Sequence, residues 1–213
     1  MDATVMEIAD FMAEEDRGLG GEFLAYMALQ ELPAGWRLLR NLLVFSAAGE
    51  THETEIDMVL IHRSGVYVLE IKEYGGCISG NPKQKMWTQS FPDGIKRLYY
   101  NPVWQNYGHM QAMKQALALF GNVPLHPIVV FGDHCEFRTQ LSSPEHPVIH
   151  RQALAETVMS IAEEVGGRLG AFDAETIYMY LKPLENPSKW RRERHLREVM
   201  SMSGKGRKTF SVH

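Results

Sequence analysis

The chain has 213 residues, 45% hydrophobic and 23% charged, which suits a soluble globular protein with room for one sizeable domain. The net charge of −4 is uneven: residues 182–213 carry nine Lys and Arg against three Glu, the rest thirteen against twenty-three, so the overall balance advertises no polyanion partner, and the C-terminal segment reads either as a polyanion contact or as a solvated helix and tail. No apolar run nears the roughly 18 residues of a membrane span, MDATVMEIADFMAEED lacks the layout of a signal peptide, and two cysteines exclude a disulfide framework or a four-cysteine zinc site. A reducing cytoplasm is the expected compartment.

Residues 1–16 read as a short acidic amphipathic helix. RGLGG then supplies turn glycines ahead of a helix in which Phe23, Tyr26, Met27 and Leu29 recur at helical spacing, ended by Pro33-Ala34-Gly35. WRLLRNLLVF and TEIDMVLIH read as strands, and HRSG turns tightly into VYVLEIKEY. GGCISGNPKQKMWTQSFPDG reads as loop-rich, with a short strand around Met86 to Gln89. Asn101 and Pro102 start a helix, Asn as N-cap and Pro in the first turn, which runs from about Val103 to Phe120. HPIVVFGD is a buried strand. A short strand and helix over PVIHRQALAETVMSIAEEV, a helix at DAETIYMYLKPL and a basic helix around WRRERHLREVM complete the chain. The organisation expected is an acidic helix over 1–16, an α/β domain over 17–181 with one antiparallel hairpin, and a basic helix and tail over 182–213.

One strand poses a physical question. YVLEIKEYGG should be dry, yet Glu70 and Lys72 point to the same face, since side chains alternate along a strand. Burying charge is costly without a partner. A loop of two or four residues sets Ile61 opposite Val66, and the same register sets Asp57 opposite Glu70 and Glu55 opposite Lys72; an odd loop or a bulge would break it. Carboxylates so paired stand about 5 Å apart at Cβ, and their repulsion is relieved by a nearby Lys or a divalent cation. Oxygen ligands with room for water and phosphate suit Mg²⁺ or Mn²⁺, and Lys72 can hold a water or stabilise charge on a phosphoryl oxygen. A cross-strand salt-bridge cluster of Asp57, Glu70, Lys72 and Glu55 accounts for the same residues without chemistry.

The pattern Asp57…Glu70-Ile71-Lys72 resembles the Asp…Glu-x-Lys signature of the restriction-endonuclease-like PD-(D/E)xK superfamily. More narrowly, the chain is similar to the nuclease-related domain (NERD) family. The residues that carry the likeness are Gly21-Glu22, Glu55-Ile56-Asp57, Gly65 to Lys72 with Tyr74-Gly75-Gly76, Trp87, and Asn101-Pro102 with Gln105 and His109. The resemblance spans about Arg17 to Asp133. It implies an α/β core of αβββαβ type, a mixed central sheet flanked by helices, here with a C-terminal helical extension. It also implies a nuclease acting on DNA, with Asp57, Glu70 and the Ile71 carbonyl as metal ligands and Lys72 as the catalytic lysine. Glu22 completes the acidic cluster in that view, and is otherwise a favourable acid at a helix N-terminus. Gln105 supports the site or contacts DNA, and His109 lies one turn further on the same helix face; each is otherwise a polar residue on a solvated face.

There is no phosphate loop, no G-x-S-x-G elbow and no zinc motif. His134-Cys135 reads as a loop detail. Trp87, Trp104, Tyr99 and Tyr100 either stack on unpaired bases or fill the core. The reading expected is a Mg²⁺- or Mn²⁺-dependent deoxyribonuclease, against a non-catalytic nucleic-acid-binding or regulatory module of the same fold. A protein partner or a second copy of the chain is left open.

Overall fold

In the computed structural model, which describes residues 17–45 and 53–187, the apolar runs form strands where expected. Helix α1 (Arg17–Leu29) leads into β1 (Arg37–Phe45), β2 (Glu53–His62) and β3 (Gly65–Lys72). After β4 (Gly76–Ser79), β5 (Met86–Ser90) and β6 (Lys96–Tyr100) come α2 (Pro102–Ala116), β7 (Leu125–Phe131), β8 (Cys135–Phe137) and β9 (Val148–His150). Helices α3 (Leu154–Val165) and α4 (Ala171–Leu181) follow. The acidic helix expected over 1–16, and the part of the basic helix and tail beyond residue 187, lie outside the described residues.

A five-stranded mixed sheet in the order β1-β2-β3-β7-β9 forms the centre. β1, β2 and β3 pair antiparallel, while β3–β7 and β7–β9 are parallel. The single hairpin expected is thus a three-stranded meander, and the αβββαβ order is α1-β1-β2-β3-α2-β7. Alternation sorts the apolar side chains to two faces. Val59, Ile61, Val66 and Val68 pack beneath Ala112 and Met113 of α2 and Ile177 and Leu181 of α4. Met58, Leu60, Tyr67, Leu69 and Ile128 pack against Ala25 and Leu29 of α1 and Leu154 and Val158 of α3.

The stretch expected to be loop-rich holds the short strand expected around Met86 to Gln89, as β5, but also β4, and with β6 and β8 these form a second sheet in the order β6-β5-β4-β8. Its strands are short and its turns carry Pro, Gly and Asn, so the turn signal masks the strand signal in the sequence. Its core is Trp87, Ile78, Phe131 and Cys135, so Cys135 belongs to a strand and a buried cluster rather than a loop. The parallel β3–β7 pair continues past a break as β4–β8, which makes the second sheet a bent extension of the first.

The glycines of RGLGG also belong to α1 and not to a turn. A Cβ on Gly21 would lie 2.8 Å from Glu73 Cβ, so glycine is what allows the helix to rest on the end of β3. The helix at 103–120 is shorter than expected, ending at Ala116 before a 3-10 turn at Ala118–Phe120.

Candidate active site

The turn arithmetic holds where the β2–β3 ladder forms. A two-residue turn at Arg63-Ser64 closes on His62–Gly65, and pairing proceeds through Ile61–Val66 to Met58–Leu69. Asp57 and Glu70 come next in that register, but the ladder stops before them, and the expected Glu55–Lys72 opposition is not part of it. On the other side of β2, Glu55 pairs with Leu43 of β1. The Asp57 carboxylate bridges the gap: its Oδ2 accepts the Ile71 N–H at 2.7 Å, a bond that a backbone carbonyl would make in a regular sheet.

A break in alternation explains the gap. Ile56 and Val59 reach the same apolar cluster three positions apart, as do Leu39 and Leu42 on β1. Between Leu39 and Leu42, Asn41 adopts a φ of 52°, a left-handed conformation that asparagine tolerates better than most residues. The pairs flanking it, Arg40–Met58 and Leu42–Ile56, place Asn41 across from Asp57. Glu185 and Asn186 brace this kink from the sheet edge. Glu185 Oε1 accepts the Arg40 N–H at 3.0 Å, and Asn186 N–H donates to the Asn41 carbonyl at 3.1 Å.

Glu70 is fully buried on the face covered by α2. Lys72 rests its ammonium on Glu70 Oε1, and His109 Nε2 lies 2.9 Å from Oε2. The Thr54 hydroxyl, 2.9 Å from His109 Nδ1, fits the tautomer whose Nε2 proton donates to Glu70. Lys72 also donates to Gln105 Oε1 at 3.2 Å. Two features of α2 hold it in place for this. Asn101 caps it, accepting from Val103 N at 2.8 Å while its amide reaches the Pro82 and Gln84 carbonyls. Asn106 donates to the carbonyls of Val68 and Ile128, fastening the helix across β3 and β7 at 3.0 and 3.2 Å.

The two acids diverge electrostatically. Burial alone would raise the Glu70 carboxyl, but Lys72 and His109 bring it below its ordinary value. Asp57 is pushed well above its ordinary value by burial, then by the Glu70 charge, with a further push from Glu22; the Ile71 N–H and Lys72 oppose this without overcoming it. Burial would lower the Lys72 ammonium, and Glu70 with Asp57 raises it instead. Glu70 is thus the settled anion of the pair, and Asp57 bears their repulsion.

The structure brings together Asp57, Glu70, Lys72 and Gln105 from β2, β3 and α2, and Glu22 acts on Asp57 through its charge. Ile71 enters through its N–H. His109 stands in the hydrogen-bond chain, and its i, i+4 spacing from Gln105 was the signal for it. Thr54 and Asn106 carried no signal, because their roles depend on what α2 faces. The oxygen donors suit a hard cation, and the strained ionisation of Asp57 beside Glu70 is what such a charge would relieve. Among the described residues, no group of three or more His, Cys, Asp or Glu is arranged to hold a metal ion.

The fold and this cluster define an α/β protein of nuclease-like architecture. The family model of the nuclease-related domain matches residues 17–132, and the chain belongs to that family. It is also similar to an uncharacterized protein of Bacillus anthracis, 32% identical over 152 residues, which take in 69% of this chain and 68% of that protein. No helix among the described residues is long and apolar enough to cross a membrane.

Proposed function

We propose that the chain is a nuclease that hydrolyses DNA phosphodiester bonds with Mg²⁺ or Mn²⁺. The observation that carries this reading is the convergence of a buried acid, Glu70, and a half-buried acid of opposed ionisation, Asp57, with Lys72, at the gap where the β2–β3 ladder ends. Asp57, Glu70 and the Ile71 carbonyl would hold the cation, which supplies Lewis-acid polarisation of a phosphoryl oxygen and a more acidic bound water. Lys72, held in its charged form by Glu70, presents a positive charge to the oxygens on which negative charge develops. Gln105 orients Lys72, His109 orients Glu70, and Glu22 adds negative charge beside Asp57.

One observation favours a second reading, a non-catalytic nucleic-acid-binding or regulatory module. Both Glu70 oxygens face a cation or a histidine, leaving Asp57 as the acid without a cationic side chain hydrogen-bonded to it among the described residues. Incubation with single-stranded, duplex and nicked DNA in Mg²⁺, Mn²⁺ or EDTA separates the two. The enzyme reading requires metal-dependent cleavage that Asp57→Ala and Lys72→Ala both lose. Binding on every substrate with cleavage of none gives the module.

A further inference from the structure

The four aromatic residues open to two roles in the sequence divide in the structure. Trp87 is 0% exposed, and Tyr99 packs edge-on against Tyr74 and Trp87. Tyr100, Trp104 and Tyr107 are instead 44%, 39% and 57% exposed, on one surface. Trp104 and Tyr107 are one turn apart on α2, and Tyr100 meets Trp104 edge-on at 6.4 Å. The indole is held in place, since Trp104 Nε1 donates to the Pro82 carbonyl at 2.9 Å. With Pro82, Lys83 and His146 these rings line a cleft of about 760 Å³, with Glu145 at its wall.

The surroundings are basic. Between Asn81 and Tyr107 the chain carries Lys83, Lys85, Lys96 and Arg97 against Asp93, in a protein whose net charge is −4. All four basic residues are exposed, with Arg97 resting over the Phe91 ring. Lys96 shares the outer face of β5–β6 with Tyr100, through the pairs Ser90–Lys96 and Met86–Tyr100. Exposed rings beside lysines suit a ligand with flat apolar faces and a regular negative charge. A protein partner fits less well, because lysine is depleted in protein interfaces. In duplex DNA the base faces are stacked away, so rings of this kind serve unpaired nucleotides.

We propose that the Tyr100–Trp104–Tyr107 cleft binds single-stranded nucleic acid, with bases stacked on the rings and phosphates on Lys83, Lys85 and Lys96. The idea rests on nucleic acid being the ligand of the candidate site, and not on catalysis there. Trp104 and Gln105 are adjacent in the first turns of α2, so a strand held in the cleft leads toward the helix turn that contacts Lys72.

The test is fluorescence anisotropy in EDTA with a labelled thymidine oligomer of about fifteen nucleotides, a hairpin duplex and an abasic oligomer of equal length. The single strand should bind tightest, and the Trp104→Ala, Tyr107→Ala double variant should weaken it about tenfold or more. Trp104→Phe, which keeps a ring, should restore most of the affinity, and Lys83→Glu with Lys96→Glu should flatten its salt dependence. The proposal is overturned if the folded aromatic variants bind like wild type, or if the abasic oligomer binds equally well. It is also overturned if wild type fails to bind the single strand while sedimenting as a dimer that the variants dissociate, which would make this face a contact between copies. Because EDTA removes metal-dependent cleavage, failure of the nuclease reading would leave this binding intact. Loss of binding alone would leave metal-dependent cleavage of duplex DNA to be judged separately.

Discussion

Two ion clusters sit within three residues of each other at the end of β3, and each pairs two acids with one long cation. In the first, Lys72 pairs with Glu70 and acts on Asp57 only through its charge. In the second, Arg151 reaches Glu73 at 2.6 Å and Asp133 at 3.0 Å, and Asp133 also accepts the Gln152 N–H at 3.0 Å. Glycines close on the second cluster from two sides: a Cβ on Gly132 would lie 2.3 Å from Glu73 Oε1, and one on Gly21 would touch Glu73 Cβ. The guanidinium fork is spent on two carboxylates, the enclosed Glu73 and the more exposed Asp133, and the result is a clamp between α1, β3 and the turn before α3. In the first cluster the lone ammonium goes to Glu70, while Asp57 resists ionisation and keeps only a backbone donor. Similar charge counts therefore give a fastener in one place and a poised acid in the other, and packing decides which.

Removing the poised acid should matter far more to chemistry than removing the fastener. Asp57→Ala should lower metal-dependent cleavage about a thousand-fold in a single-turnover assay, whereas the Arg151→Met protein, measured where it is folded, should cleave within about tenfold of wild type. Equal losses in both would erase the distinction. Next in size, Arg151→Met strands two partly buried carboxylates and should cost about 3 kcal/mol in urea unfolding at neutral pH. Gly21→Ala forces a methyl group against Glu73 and should cost about 1–3 kcal/mol, read as a lowered Tm.

The smallest effect has the opposite sign. Asp57 has a folded-state pKa above its ordinary 3.8, so the stability contributed by its neutral form is complete below that value. It is lost as pH rises through the raised folded value. Asp57→Asn removes that cost and can still accept the Ile71 N–H. It should therefore raise Tm by about 2–4 °C at pH 7, corresponding to roughly 1 kcal/mol, and leave it unchanged near pH 3. A lower Tm at pH 7 would mean that the Asp57 charge is already well compensated and that the two clusters are alike.

Much of this was legible in the chain because the signals are local. The β-branched runs of β2, β3 and β7, the cap at Asn101-Pro102 and the parity of Glu70 with Lys72 depend on neighbours a few residues away. Of the second sheet only β5 was legible; β4, β6 and β8 are short strands, and the sheet depends on the buried Trp87 and on the pairing of β4 with β8, distant in sequence. Gly21 reads as a turn residue until Glu73 is seen beneath it. His109 was visible as a helix-face residue, yet its partner Glu70 lies 39 residues away, and Thr54 lies 55 away.

Local pattern along the chain accounts for the αβββαβ order and the hairpin register through Met58–Leu69, and period-2 alternation with turn length puts Asp57, Glu70 and Lys72 in one group, while Gln105 joined them through the family resemblance. Three outcomes waited on packing: the β2–β3 ladder ends at Asp57, α2 presses His109 and Gln105 onto the charged end of β3, and Glu73 is clamped while Asp57 is not. Those outcomes depend on burial and on which charges meet across space, and neither quantity exists until the layers have packed.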